Sequence, residues 1–263
     1  METAAETEER LRHGSSFGAA AAAYAEHRPS YADTAIRWCL EPLSSPPRVV
    51  DLGAGTGILT SALVRLGADV TAVEPDRDML AELRRHLPGV PAEHGSAEAI
   101  PLPDASVDAV LAGQAMHWFD LDRALPEIAR VLRPGGVLAG LWNVDDDRIG
   151  WVAELDEVAR RQASITLLRW HNGVAASYRE RAARSGAGLF DAAETSEFAN
   201  GQVRTADSLL ASIATHSNLL VMPESERRDL LAQIADFLRA QPETSAGEFT
   251  LPLMTVAVRA RRQ

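Results

Sequence analysis

The sequence has a single cysteine, Cys39, in 263 residues, and aromatic residues make up only 5% of it. One thiol excludes internal disulfides and a thiolate cluster for zinc. The seven histidines are scattered, with no pair at helical ligand spacing, so no metal is expected. No apolar run approaches the length that spans a bilayer, and the opening METAAETEERLRHG is polar and acidic, unlike a signal peptide. A cytoplasmic chain with no membrane partner is expected. Positive charge is scarce too: the formal net charge is −11, and the terminal RARRQ is the only basic cluster, which reads as a solvated tail. No nucleic-acid partner is expected. Internal repeats and low-complexity tracts are also missing.

What is present is a chain 46% apolar and 24% charged, long enough for one α/β domain with an added cap. It is organised around VVDLGAGTG, residues 49 to 57. Val49 and Val50 read as the end of a buried strand; Gly53, Ala54, Gly55 and Gly57 form a turn, and ILTSALVRL is helical. Glycines at alternate positions let the backbone curl and let a ligand approach, while the new helix offers unpaired N–H groups. A dinucleotide fingerprint needs its third glycine three places after the second, where Ile58 stands, so a nicotinamide cofactor is disfavoured. Asp51, immediately before the turn, repels a pyrophosphate and attracts an ammonium. Glu74, ending the next strand DVTAVE, has close to the spacing of a ribose-binding carboxylate.

DLGAGTG, then VEPD, then GSAEAIPLPDASVDAVLAGQAMHW, then ARVLRPGGVLAGLWN resembles, in order and spacing, the motif series of class I S-adenosylmethionine-dependent methyltransferases. The likeness is greatest to the small-molecule branch that includes trans-aconitate, ubiquinone and biotin-pathway enzymes, and it covers residues 17 to 145 well. It implies a Rossmann-like sheet of seven mostly parallel strands, the last antiparallel beside strand five, with helices on both faces and a helical cap. It implies S-adenosylmethionine as cofactor and S-adenosylhomocysteine as product. Its site then includes Asp51, the glycine turn, Glu74 and Pro75, with Met79 on one face of the adenine and Ala97 and Glu98 at its edge; an exposed loop carboxylate is the alternative reading of Glu98. Tyr24 would face the sulfonium and Arg28 the methionine carboxylate, although a surface helix explains the Tyr24 to Tyr31 aromatics as well.

In chain order, residues 1–14 are expected to be a mobile tail and 15–263 one domain. Its parts are lid helices over 15–45, a cofactor-binding core over 46–145, a looser cap region with strand six over 146–250, and the last strand and tail over 251–263. The alternation of strands and helices from Arg48 to Asn143 predicts a parallel sheet. RPGG is expected to stop the preceding helix and turn into strand five, ETSEFANGQVR to form a strand, and LPLMTVAV to close the sheet. Two amphipathic helices are expected between Ala206 and Ala240.

GQAMHWF, after strand four, is where the methyl group is expected to be met, because parallel sheets bind ligands at the carboxyl ends of their strands. Gln114 and Ala115 offer backbone carbonyls to the donor, while His117 and Trp118 face the acceptor. His117 is a general base, an orienting donor to a carboxylate substrate, or a packed histidine. Trp142 and Asn143, at the end of strand five on the same rim, add substrate contacts, although Trp142 reads equally as core. The expected activity is methyl transfer to a small molecule, at an oxygen of a carboxylate or hydroxyl. Transfer to nitrogen or carbon, or cofactor binding without catalysis, remains open, and oligomeric state is unknown.

Overall fold

Val49, Val50 and Leu52 of β1 (Arg48–Leu52) are all buried, the pattern of a strand covered on both faces. The computed structural model describes residues 29–44, 46–163 and 188–263. The tail expected over 1–14, and Tyr24 and Arg28 of the expected lid, lie outside those residues. β1 pairs in parallel with β2 (Asp69–Glu74) on one side and β4 (Val107–Gly113) on the other. β3 (Ala92–His94) adds outside β2, and β5 (Leu132–Asp145) outside β4, both parallel. Beyond β5 lie β9 (Leu253–Arg261) and then β6 (Glu194–Ala199), giving the order β3-β2-β1-β4-β5-β9-β6. β9 is antiparallel to β5: Gly135 N–H donates to Arg262 O at 3.0 Å, and Arg262 N–H donates to Gly136 O at 2.8 Å. The chain leaves β1 toward β2 and later returns to β4 on the other side. The carboxyl end of β1 is therefore a topological switch point, where a crevice opens.

Among the described residues four helices serve this sheet: α1 (Asp33–Leu40), α2 (Ile58–Arg65), α3 (Arg77–His86) and α4 (Leu121–Val131). α3 starts at Asp76, whose carboxylate accepts from the N–H groups of Asp78 and Met79 at 2.9 and 3.0 Å. In α4, Leu125, Ile128 and Ala129 are buried, as their spacing predicts.

The chain divides into two compact units with separate cores. The described residues of one fall in 30–143, 188–198 and 255–263, and its core joins Ile36, Leu63, Val137 and Leu141 around the sheet. Those of the other are residue 29 and residues in 144–163 and 199–254. It contains α5 (Gly150–Ala163), β7 (Gln202–Arg204), α6 (Ala206–Ala214), α7 (Ser217–Leu220), α8 (Glu224–Ala240) and β8 (Phe249–Leu251). Its core includes Val152, Leu155, Leu230, Ile234 and Leu238, and the Trp151 and Phe249 rings meet edge to face at 5.8 Å.

Three local expectations change. RPGG does not separate α4 from β5. The strand already starts at Leu132, and the motif forms a bulge in which Leu132 pairs with Val107 and Val137 with Ala109. ETSEFANGQVR is two strands, not one: β6 stays in the large sheet, whereas β7 pairs antiparallel with β8. The change falls at Asn200 and Gly201, where a Cβ on the glycine would come within 2.8 Å of Thr250. LPLMTVAV is likewise divided, because Pro252 has no N–H to continue a ladder between β8 and β9.

Candidate functional site

The glycine turn lies in the crevice at the end of β1. Gly53, Gly55 and Gly57 have φ of 70°, 57° and 93°, a region that side chains disfavour, so the alternation of glycines is a backbone requirement. The turn is sewn to β2: the N–H groups of Gly53 and Ala54 both donate to Val73 O, at 2.8 and 3.1 Å. Gly53 also faces the loop after β4, since a Cβ there would stand 2.7 Å from the Ala115 Cβ. Gly57 lies against Leu83 and Leu87, so the same turn packs α3 beneath it.

Two buried carboxylates flank the turn. Asp51 is fully buried, and its Oδ2 accepts from the Thr60 hydroxyl at 2.6 Å on the first turn of α2. Its Oδ1 is buried with no hydrogen-bond partner among the described residues. Burial pushes this carboxyl up to about 7, against the Thr60 hydrogen bond, and the charge of Glu74 adds to the rise. Glu74 is also buried; its Oε2 accepts from Gly55 N–H and its Oε1 from Asp76 N–H, both at 2.8 Å. Burial holds its pKa above the usual carboxylate value, with the two N–H groups opposing. An ionised carboxylate has about four acceptor sites, so each Glu74 oxygen retains one for a ligand hydroxyl.

Thr56 was not expected at the site. Its hydroxyl is buried in the turn without a hydrogen-bond partner among the described residues. Thr60 was missed as well. A hydroxyl residue inside a glycine turn, and another nine places after its acidic residue, were the available signals. Buried polar atoms left without partners are costly. Asp51 Oδ1 and Thr56 Oγ1 thus suit a polar ligand, and the first suits a cation.

Of the residues expected around adenine, Met79 is buried with its sulfur 3.7 Å from the position of a Cβ on Gly55, and Ala97 is buried. Pro75 is exposed, and its carbonyl accepts from His94 Nε2 at 3.0 Å. Glu98 is not a plain exposed carboxylate: its Oε1 accepts from Asp120 N–H at 2.9 Å and ties its loop to the start of α4.

After β4 the chain turns sharply. Gln114 has φ of 54°, a strain of about 1–3 kcal/mol for a residue with a side chain. Its Nε2 donates to Asn143 O at 2.9 Å, and its N–H donates to Leu141 O at 2.8 Å. Ala115 O accepts from Trp118 N–H and closes a 3₁₀ turn over Met116–Trp118. This turn holds His117 and Trp118 half-buried, with ring centroids 4.6 Å apart.

The rim formed by β5 is structural. Trp142 is buried core, packed over Gly140, where a Cβ would strike its ring. Asn143 Nδ2 donates to Ser30 O at 3.0 Å, and its Oδ1 accepts from the Thr255 hydroxyl at 2.7 Å. The side chain expected to meet substrate therefore joins three chain segments. Tyr31, in a segment that reads either as a lid over the cofactor or as a surface helix, is buried with its ring over Gly113 at the end of β4. Among the described residues no three His, Cys, Asp or Glu side chains gather as a metal site, and no helix is long and apolar enough to cross a membrane.

Comparison with known proteins agrees with this geometry. The sequence profile of the family described as a methyltransferase domain matches residues 50–140. An uncharacterized methyltransferase of Mycobacterium tuberculosis is 41% identical over 246 residues, 93% of this chain and 95% of that one. A malonyl-[acyl-carrier protein] O-methyltransferase of Methylococcus capsulatus is 40% identical over 144 residues, 51% of this chain and 52% of that one. Among solved structures, one named as a type II methyltransferase from Anaeromyxobacter dehalogenans has a TM-score of 0.64 and 31% identity, covering 89% of this chain and 97% of that one. Its likeness to such relatives over nearly all its length, on a sheet of this order, means that the chain belongs to the class I methyltransferase family.

Proposed function

We propose that the chain moves a methyl group from S-adenosylmethionine to an oxygen, carboxylate or hydroxyl, of a small-molecule acceptor. The observation that carries the cofactor reading is the buried Oδ1 of Asp51 beside the glycine turn, which has no hydrogen-bond partner among the described residues. An amino-acid ammonium there supplies both a hydrogen bond and the opposite charge, and Glu74 retains acceptor sites for ribose hydroxyls. Met79 and Ala97 supply apolar walls for adenine. S-adenosylmethionine, when bound, supplies a methyl carbon already activated by a positively charged sulfur, so its leaving group needs no acid.

The protein's own work is then alignment and exclusion of water, with a proton removed where the acceptor requires it. Alignment supplies up to roughly 7–11 kcal/mol, and an aromatic ring near a sulfonium about 0.5–2 kcal/mol. The backbone after β4, held by Gln114, therefore outweighs any one ring. Trp118, and Tyr24 outside the described residues, take the smaller role. Arg28, also outside them, is assigned the methionine carboxylate. His117 stands on the acceptor side as base or orienting donor. Oxygen as the acceptor atom is favoured by the malonyl O-methyltransferase relative, which shares about half of this chain.

Calorimetric titration with S-adenosylmethionine and S-adenosylhomocysteine tests the cofactor; micromolar binding of both is expected, and failure of a folded sample to bind either refutes the reading. A screen of small acids, phenols and amines then tests the acceptor. Turnover of amines alone would move the assignment to nitrogen. His117→Ala should lower turnover and leave S-adenosylhomocysteine affinity unchanged. A loss of 10²-fold or more together with loss of a pH limb marks a base, whereas a raised KM at unchanged pH profile marks an orienting donor.

A further inference from the structure

The opposite end of the sheet carries a second cleft, of about 470 Å³, at the amino ends of β1, β4 and β5. Arg48 opens β1, Asp108 lies at the start of β4, and Arg133 lies in the bulge at the start of β5. Asp108 is the only carboxylate among the described residues lining the cleft and is already engaged on both oxygens. Its Oδ2 accepts from the backbone N–H of Arg48 at 2.8 Å, and its Oδ1 accepts from Arg133 Nη1 at 2.9 Å. The Arg48 guanidinium comes no nearer to it than Nε at 3.8 Å, and Arg48 Nη2 is buried with no hydrogen-bond partner among the described residues.

Two guanidiniums thus share one carboxylate, and one of them, half-exposed overall, holds a buried Nη2 with no hydrogen-bond partner among the described residues. That excess of positive charge stands in a chain of net charge −11. Arg261 adds to it from β9: its Nε lies 3.4 Å from Gly135 O on the cleft wall. Bare backbone at Gly135 and Gly136 keeps the wall open, and a Cβ on Gly136 would lie 2.9 Å from Asp108 O. The remaining lining is largely apolar, with Pro42, Leu43 and Pro134. The volume exceeds what a bare ion needs and lies within the range of small-molecule sites, about 300–1,000 Å³. Guanidinium forks recognise phosphate oxygens with fixed geometry.

We propose that this cleft binds a small organic phosphate, its phosphoryl group between Arg48 and Arg133 and its apolar body against the prolines. It is separated from the glycine turn by the length of β1, about 13 Å at the usual strand rise, and does not depend on the methyl-transfer reading.

Phenyl phosphate is the probe, with phenol as the uncharged control, followed by backbone amide NMR of the ¹⁵N-labelled full chain. Saturable shifts at Arg48, Gly135 and Gly136 are expected with phenyl phosphate and not with phenol, weakening as salt is raised. Arg133→Gln should reduce the affinity at least tenfold. Arg48→Lys, which keeps the charge but removes the fork, should also weaken it, and saturating S-adenosylhomocysteine should leave it unchanged. No saturable shift, shifts confined to Gly53–Gly57, or full affinity in both folded variants would overturn the proposal.

Discussion

The two ends of β1 are opposite in charge and in what they leave unsatisfied. At the carboxyl end, Asp51 and Glu74 are buried carboxylates; at the amino end, Arg48 holds a buried Nη2, and neither Asp51 Oδ1 nor that Nη2 has a hydrogen-bond partner among the described residues. A parallel sheet with crossover helices brings helix N-termini to the strand carboxyl ends and helix C-termini to the other side. The partial charges of those termini favour acids at the first end and bases at the second. The difference teaches that one strand places an acid, Asp51, near one end and a guanidinium, Arg48, at the other, opposite charges that cancel in its sequence.

The largest effect should come from filling the turn. Gly53→Ala adds the strain of a side chain at φ 70° to a contact of 2.7 Å with Ala115, and should destabilise the fold by about 3 kcal/mol. Gly135→Ala at the other end, at φ 77°, meets only the flexible end of Arg261 at 3.4 Å, and should cost about 1 kcal/mol. Denaturant unfolding of the pair checks this, and equal losses would erase the contrast between a packed and an open cradle.

Next in size, Glu74→Ala should weaken S-adenosylhomocysteine binding by about 1.5–3 kcal/mol, the scale of charge-assisted hydrogen bonds. It should leave phenyl phosphate affinity unchanged. Calorimetry with both ligands reads the two ends separately, and unchanged cofactor affinity would remove Glu74 from the ribose assignment.

A smaller and graded effect is expected from pH. The Asp51 carboxyl, at about 7 in the folded chain against 3.8 as its ordinary value, binds its proton more tightly folded than unfolded. Its contribution to stability is therefore fully present below pH 4 and is lost as pH rises toward 7. Ammonium binding favours the ionised carboxylate, so S-adenosylmethionine affinity should rise by up to about tenfold per pH unit between pH 5.5 and 7 and then level off. Titration in buffers of different ionisation enthalpy should detect proton release at pH 6 and little at pH 8. A flat profile would mean that Asp51 does not face the ammonium.

Much of the carboxyl end was legible in the chain because its parts are local. Val49 to Gly57 contains strand, acid and turn in nine consecutive residues, and the left-handed φ values of all three glycines follow from that spacing. Asp51 and Glu74 are brought together by one βαβ unit. What escaped was set by partners distant in sequence. Asn143 was open to a substrate role until Ser30 and Thr255 were seen to occupy its amide, and Trp142 until its burial was seen. Glu98 was expected at the adenine edge or as a plain loop carboxylate, and nothing local signals its bond to Asp120 N–H, 22 residues away.

The sequence by itself determined the alternation of strands and helices, the glycine turn and the acids beside it, because apolar periodicity and backbone sterics act over a few residues. Only the tertiary structure decided which polar atoms remain unpartnered and which arginines converge. Arg48, Asp108 and Arg133 lie tens of residues apart and meet only because β1, β4 and β5 align side by side. Hydrogen-bond satisfaction and local charge depend on that alignment, and no short window of sequence contains it.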